Sequence, residues 1–224
     1  MKRFGKTVIK NWFINEVKDF IKSIDFKIGN DSGHRAFTQN SDYWLLSCYI
    51  EASYNIKNNT LIDTLSFSNV IIRIHKVENL LGKIINNSSY NEAGKTFSIF
   101  PNEEFGETFI GIEKQEDTKK MGETFKKVFL ECFLPAFEKY SNPKNVLELW
   151  DGLDDEGKLK HFFDPYKNCK ILILSKMCND PKFSQRCEEE YNFYKKHYDN
   201  GLLSAKVLMD DCEKVIKYLE NNEI

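Results

Sequence analysis

The chain reads as an α+β protein: an antiparallel sheet of about five strands, covered on one face by helices, followed by an all-helical C-terminal extension. Three observations lead there. Apolar residues recur at helical spacing near the N-terminus and again over 117–150, short alternating runs lie between those stretches, and strands vanish after Trp150.

The long stretch from Asp117 to Trp150 organises this reading. Met121, Phe125, Val128, Phe129, Cys132, Phe133, Ala136, Phe137 and Tyr140 fall on one helical face, while Lys119, Lys120, Glu123, Lys126, Lys127 and Glu131 fall mostly on the other. Such a stripe needs an apolar partner, and a sheet face supplies one. Pro135 lacks an N–H and disfavours helical backbone at Leu134, so a kink or a restarted helix is expected there.

From the start of the chain, Val8, Ile9, Trp12, Phe13, Val17, Phe20, Ile21 and Ile24 form another stripe, which predicts a helix over 6–23. A first strand is expected over Ile24–Ile28, ended by the turn residues 29–33, with Arg35–Thr38 as the returning arm of a hairpin. Tyr43–Ser53 is the clearest strand: Trp44, Leu46, Cys48, Ile50 and Ala52 take one side, Ser47 and Glu51 the other. Asn55–Asn59 reads as a turn. Leu65–His75 is a further strand, with Arg73 and His75 on its polar side. Val77–Ile85 fits either an extension or a short helix, and Asn86–Gly94 is a polar loop. Lys95–Phe100 and Glu107–Glu113 are short strands around the acidic turn Pro101–Glu104. Polar turns without intervening helices make the sheet antiparallel.

After the joint at 151–155 come three helical patterns, around Cys169–Met177, Phe183–Tyr198 and Ala205–Leu219, with Asn200-Gly201 as a stop signal. The domains therefore read as 1–151 and 152–224. Trp12, Trp44 and Trp150 all fall on sides expected to be core.

Composition limits the function. At 224 residues, 41% hydrophobic and with 18 Phe, the chain can build a large core, which excludes disorder as its main state. A net charge of −2, with lysines interleaved among acids, argues against nucleic acid as a partner. No signal peptide or membrane span is legible, and six scattered Cys fit a reducing compartment, so a cytoplasmic protein without membrane partners is expected. Asn58, Asn86 and Asn87 match the glycosylation triplet only by chance in an Asn-rich chain.

The helix ahead of the sheet, the strands DYWLLSCYIEAS and SNVIIRIHKV, and the phrase FLPAFEKYSNPKNVLELW are similar to those of an uncharacterised bacterial domain-of-unknown-function family. In that family a long helix closes on a Leu-Pro-x-(Phe/Leu)-Glu-(Arg/Lys) phrase. The resemblance implies the fold and carries no catalytic residue.

No motif specifies a chemistry. Gly94-Lys95-Thr96 shares the last residues of a phosphate-binding loop, but the earlier glycine is Ser89 and a strand follows in place of a helix. Cys169, Cys178 and Cys187, near His161 and His197, lack the paired spacing of zinc ligands and sit at apolar helix positions. Neither a nucleophile elbow nor a zinc-protease helix is present. Glu103-Glu104, Asp154-Asp155 and Asp210-Asp211 read as surface and turn acids. The chain thus reads as non-catalytic, with no cofactor and no metal. The leading expectation is a protein-binding module, an immunity-like protein being one form of it. A small enzyme or small-molecule binder with a cleft between sheet and helical extension, and an oligomer-forming component, are the alternatives. Candidate binding residues are Arg73, His75 and Glu51 on the open sheet face, and His34 and Arg35 at the hairpin.

Overall fold

A computed structural model describes residues 4–31, 34–57, 60–90, 94–101 and 108–224. Parts of four expected loops and turns, Ser32-Gly33, Asn58-Asn59, Asn91–Ala93 and Asn102–Glu107, lie outside the described residues, as do the acids Glu103 and Glu104. The fold is α+β, with a C-terminal helical region. Strands β1 (Lys27–Asp31), β2 (His34–Asn40), β3 (Trp44–Lys57), β4 (Thr60–Ile74) and β5 (Phe97–Ile99) hydrogen-bond in that order, and β6 (Phe109–Ile112) pairs with β4. Among the described residues the sheet has six strands. Its β1–β2, β2–β3 and β4–β6 pairs are antiparallel.

The chain divides into two compact units, neither of them continuous. The first comprises residues 1–41, 45–71 and 99–138; the second comprises 42–44, 72–98 and 139–224. The expected joint at 151–155 falls within the second.

In the first unit, helix α1 (Lys6–Ser23) buries Ile9, Phe13, Val17 and Ile21, as its spacing predicts, and also Ile14, which lies outside the predicted stripe, while Val8 within it is exposed. It ends on a left-handed residue, Asp25 at φ 59°, where the Phe26 N–H reaches back to the Ile21 carbonyl. That closure takes up residues 24–26, so β1 begins at Lys27 and not at Ile24. Helix α3 (Asp117–Val128) lies against α1 and the sheet: the Phe125 ring contacts Phe13, Phe37 and Phe67. Pro135 does not break the helical path beyond α3. A π-helical turn, Phe129–Phe133, leads into α4 (Leu134–Tyr140), and Leu134 stays helical at φ −61°, ψ −49°. Widening the turn removes the need for the N–H that proline lacks. It also keeps Phe129, Phe133 and Phe137 on the buried side.

The other face of this sheet, expected to be open, is buried in part, while Glu51 and Ser53 at the far end of β3 are exposed. Ser47 on β3 is buried, and Ala36, Tyr49 and Ile71 form a buried cluster across β2, β3 and β4. Trp12 and Trp44 are half-buried, whereas Trp150 is core.

In the second unit, helix α2 (His75–Ile84) takes the helical alternative for residues 77–85. Helix α5 (Pro143–Gly152) starts at a break after Tyr140, with Asn142 capping the Lys144 N–H and Pro143 at the first position. Then come α6 (Asp155–His161), capped by Asp154 on Gly157, α7 (Lys167–Met177), α8 (Phe183–Asp199) and α9 (Ala205–Asn221). Gly201, at φ 90°, closes α8 as the sequence signals. Helix α7 is the hub: every residue from Asn168 to Ser175 is buried, so polar and apolar sides alike face protein. Among the described residues, no helix is long and apolar enough to cross a membrane.

Candidate functional site

Burying α7 on all sides buries Lys170 with it. A buried ammonium needs acceptors for its donors and a counter-charge. Lys170 Nζ is 2.7 Å from the Lys95 carbonyl, 3.1 Å from Asp164 Oδ2 and 3.0 Å from Glu78 Oε2, and it lies over the Tyr90 ring. Glu78, on α2, is equally buried. Its Oε1 accepts from Thr96 Oγ1 at 2.8 Å, and that hydroxyl accepts the Ile74 N–H at 2.9 Å. Glu78 Oε2 touches Lys170 as a charge contact and receives no well-aligned hydrogen bond. Burial raises the Glu78 carboxyl above its usual range, and Lys170 opposes that rise. Asp164 goes on to accept the Tyr166 N–H at 2.7 Å, and Tyr166 Oη donates to Asp211 Oδ2.

This cluster is a lock. It fastens the segment before α7 and the loop at 94–96 to α2 and α9. The Gly94-Lys95-Thr96 stretch is therefore a strap: a Cβ on Gly94 would run into Glu78 and stand 2.7 Å from the Tyr90 carbonyl. With α7 held at Lys170, the positions of Lys167 and Asn168 one turn earlier are set.

Lys167 and Asn168 line a cleft of about 520 Å³, together with Trp150 on α5, Asp155, Lys158 and Leu159 on α6, and Glu189, Glu190, Phe193 and His197 on α8. Its apolar wall is Trp150, Leu159 and Phe193. Lys158 Nζ lies 4.8 Å over the Trp150 ring and Lys167 Nζ 5.5 Å over the Phe193 ring, whose edge contact with His197 spans 4.6 Å.

Glu190 is the unusual group. It is 9% exposed, and burial pushes its carboxyl up to about 7, against the pull of Lys158 and with a push from Glu189. Among the described residues, no ammonium or guanidinium is placed at ion-pairing distance from it. Burial likewise lowers Lys167, against the pull of Glu190. Asn168, 2% exposed, has a buried Oδ1 without a donor among the described residues. Groups with perturbed protonation and unmet hydrogen bonds in a concave, part-apolar pocket mark a ligand site.

A second, smaller hollow of about 270 Å³ is lined by side chains that already pair with one another. Arg186 forks onto Asp151 at 2.7 and 2.8 Å and binds Asp180 at 2.7 Å.

The residues singled out from sequence lie elsewhere. Arg73 is buried at the end of β4, with Nη2 donating to Asn79 Oδ1, and His75 is the first residue of α2. The wet strand side expected to carry both does not form, because the strand ends at Ile74. Glu51 is exposed on β3. His34 and Arg35 begin β2, paired with Asp31 and Asn30, and their side chains are outside those described. His161 Nδ1 lies 2.8 Å from the Ser98 carbonyl, and only His197 reaches the cleft. Cys169 and Cys187 are buried among apolar helix positions, and burial pushes the Cys187 thiol up to about 11.

Sequence reasoning missed Glu190 and Asn168. The signal was present: Glu190 is three residues after Cys187 and four before Tyr194, an acid on the apolar stripe of α8. No family model, curated protein or solved structure matches the chain.

Proposed function

We propose that the protein binds a small organic molecule in the cleft bounded by α5, α6, α7 and α8. The observation that carries this reading is Glu190: a buried carboxyl with no cation at ion-pairing distance among the described residues, lining a cavity of ligand size whose wall is aromatic and aliphatic. A carboxyl kept there for packing alone would cost stability that glutamine or leucine would not. The lock around Lys170 supports the reading, because it fixes the side of the cleft formed by Lys167 and Asn168, and preorganisation lowers the cost of binding.

Native mass spectrometry of the protein purified from its own cells under mild conditions tests this. A small-molecule adduct that is lost in a Trp150→Ala variant is the expected result. A bare polypeptide mass, with no rise in melting temperature across a metabolite set, would count against it.

A second reading, a protein partner, is favoured by a different observation. Leu202, Leu203 and Val207, around the turn from α8 to α9, are 53%, 78% and 60% exposed. Neighbouring apolar side chains left in water are more common at contact surfaces than elsewhere. A Leu203→Ser, Val207→Ser variant that abolishes capture of one stoichiometric protein would move the weight to that surface.

A further inference from the structure

We propose that the cleft recognises a small zwitterion with an apolar side group, an amino acid or dipeptide, seating its ammonium on Glu190 and its carboxylate on Lys167. The inference rests on the small-molecule reading above and narrows it to a ligand class.

Both signs of charge line the cleft. Three acids, Asp155, Glu189 and Glu190, face two lysines, Lys158 and Lys167. A ligand bearing only positive charge meets the lysines, and one bearing only negative charge meets the acids. An uncharged ligand displaces water from Glu190 and Lys167 and offers neither a counter-charge, the costliest outcome for partly buried ions. A molecule with both charges avoids all three penalties.

The two ions are also arranged for it. Glu190 and Lys167 influence each other electrostatically, yet the pair is not closed into a salt bridge. Lys167 is held over Phe193, and Glu190 sits in the wall of the same cleft. Two opposite charges separated by a gap are the complement of a ligand whose ammonium and carboxylate are a few bonds apart. An ammonium also brings three donors, more than a single carboxylate oxygen accepts. The Asn168 carboxamide lines the same wall, and its buried Oδ1, which lacks a donor among the described residues, takes a further one once the side chain turns towards the cleft.

The remaining space sets the side group. Trp150, Leu159 and Phe193 present apolar surface beside the charges, and about 520 Å³ exceeds what a bare ammonium–carboxylate head fills. An aromatic or branched aliphatic side group would use that wall, at about 25 cal/mol for each Å² removed from water.

Calorimetric titration of the full chain at pH 8 tests the class. The probes are L-phenylalanine, the dipeptide Gly-Phe, phenethylamine, 3-phenylpropionate and benzyl alcohol. They separate the two charges, each charge alone, and the ring alone. At least one zwitterion is expected to bind tenfold or more tighter than either singly charged probe, and the tighter of the two distinguishes amino acid from dipeptide. Glu190→Gln should weaken that zwitterion about tenfold and leave 3-phenylpropionate within twofold. Lys167→Met should do the converse with phenethylamine as the unaffected probe. The ranking of probes on the unaltered protein stands even if a variant fails to fold. If phenethylamine, 3-phenylpropionate or benzyl alcohol binds as tightly as the zwitterions, the class is overturned while the small-molecule reading survives. If no probe binds and native mass spectrometry shows no adduct, both fall.

Discussion

Replacing Glu190 with glutamine should make the protein more stable at alkaline pH and remove part of its pH dependence. The folded protein holds the Glu190 carboxyl at about 7, against an ordinary 4.5, because burial penalises the ion. The groups facing it are Lys158 from α6, Lys167 from α7, and Arg186 and Glu189 on its own helix. Between the two values the folded state binds more protons than the unfolded state, so stability falls as pH rises through that window. Below about 4.5 both states are protonated, and above 7 the whole penalty is present. At about 1.4 kcal/mol for each tenfold change, the ionised form costs on the order of 3 kcal/mol as an upper bound. Glutamine keeps the shape and has no charge to bury. Urea denaturation from pH 5 to 8 is the assay. Wild type and Glu190→Gln should lie close together at pH 5 and diverge towards pH 8, with the variant more stable. Curves that stay parallel across the range would overturn this explanation.

Lys170→Met should destabilise by about 3–5 kcal/mol, because it strands the buried Glu78 carboxylate; adding Glu78→Leu should recover a large part of that in the same denaturation assay. Gly94→Ala should cost about 1–3 kcal/mol by overpacking against Glu78 and the Tyr90 carbonyl, seen as a lower melting temperature with unchanged secondary structure. Arg186→Met should let the Asp151 carboxyl, which the Arg186 fork holds below the usual carboxylate range, titrate at higher pH, and side-chain carbonyl NMR reads that shift directly.

The helices with an apolar stripe were legible in the sequence because such stripes answer to burial alone, whereas α6, which buries no residue, was not. Ile9, Phe13, Val17 and Ile21 define α1, and Phe125, Phe129, Phe133 and Phe137 define the long segment that packs beside it. The π-helical turn before Pro135 was not, since a restarted helix and a widened turn both accommodate the missing N–H and packing chooses between them. Part of the sheet face was misread as open for a different reason. Alternation along β3 marks Ser47 as polar, but a hydroxyl is small enough to be buried, and period two does not distinguish a wet face from one covered by protein. His75 looked like a strand residue because Ile72, Arg73 and Ile74 alternate up to it; the hydrogen bond from the Ile74 N–H to Thr96, distant in sequence, marks where the strand stops.

The cleft shows the same division. Its apolar wall could be read from Trp150, but its chemistry comes from single polar residues inside apolar stripes: Glu190 on α8, Asn168 and Lys170 on α7. From sequence, Glu190 interrupts an apolar stripe, but nothing in the spacing marks Asn168 or Lys170 as enclosed. Only packing on every side of α7 reveals that Lys170 is enclosed and that Asn168 keeps an acceptor unmet among the described residues.

Whether this cleft takes a small molecule is tested most directly by a two-dimensional amide NMR titration with a small-molecule fragment set. The Trp150 indole and the Asn168 side-chain amide serve as reporters, the first assigned by comparison with Trp150→Phe. Saturable shifts concentrated on those two signals and on the backbone of Lys167 and Glu190 are expected. Fragments that leave these signals unmoved, or that saturate a different part of the chain, would rule the cleft out as the binding site.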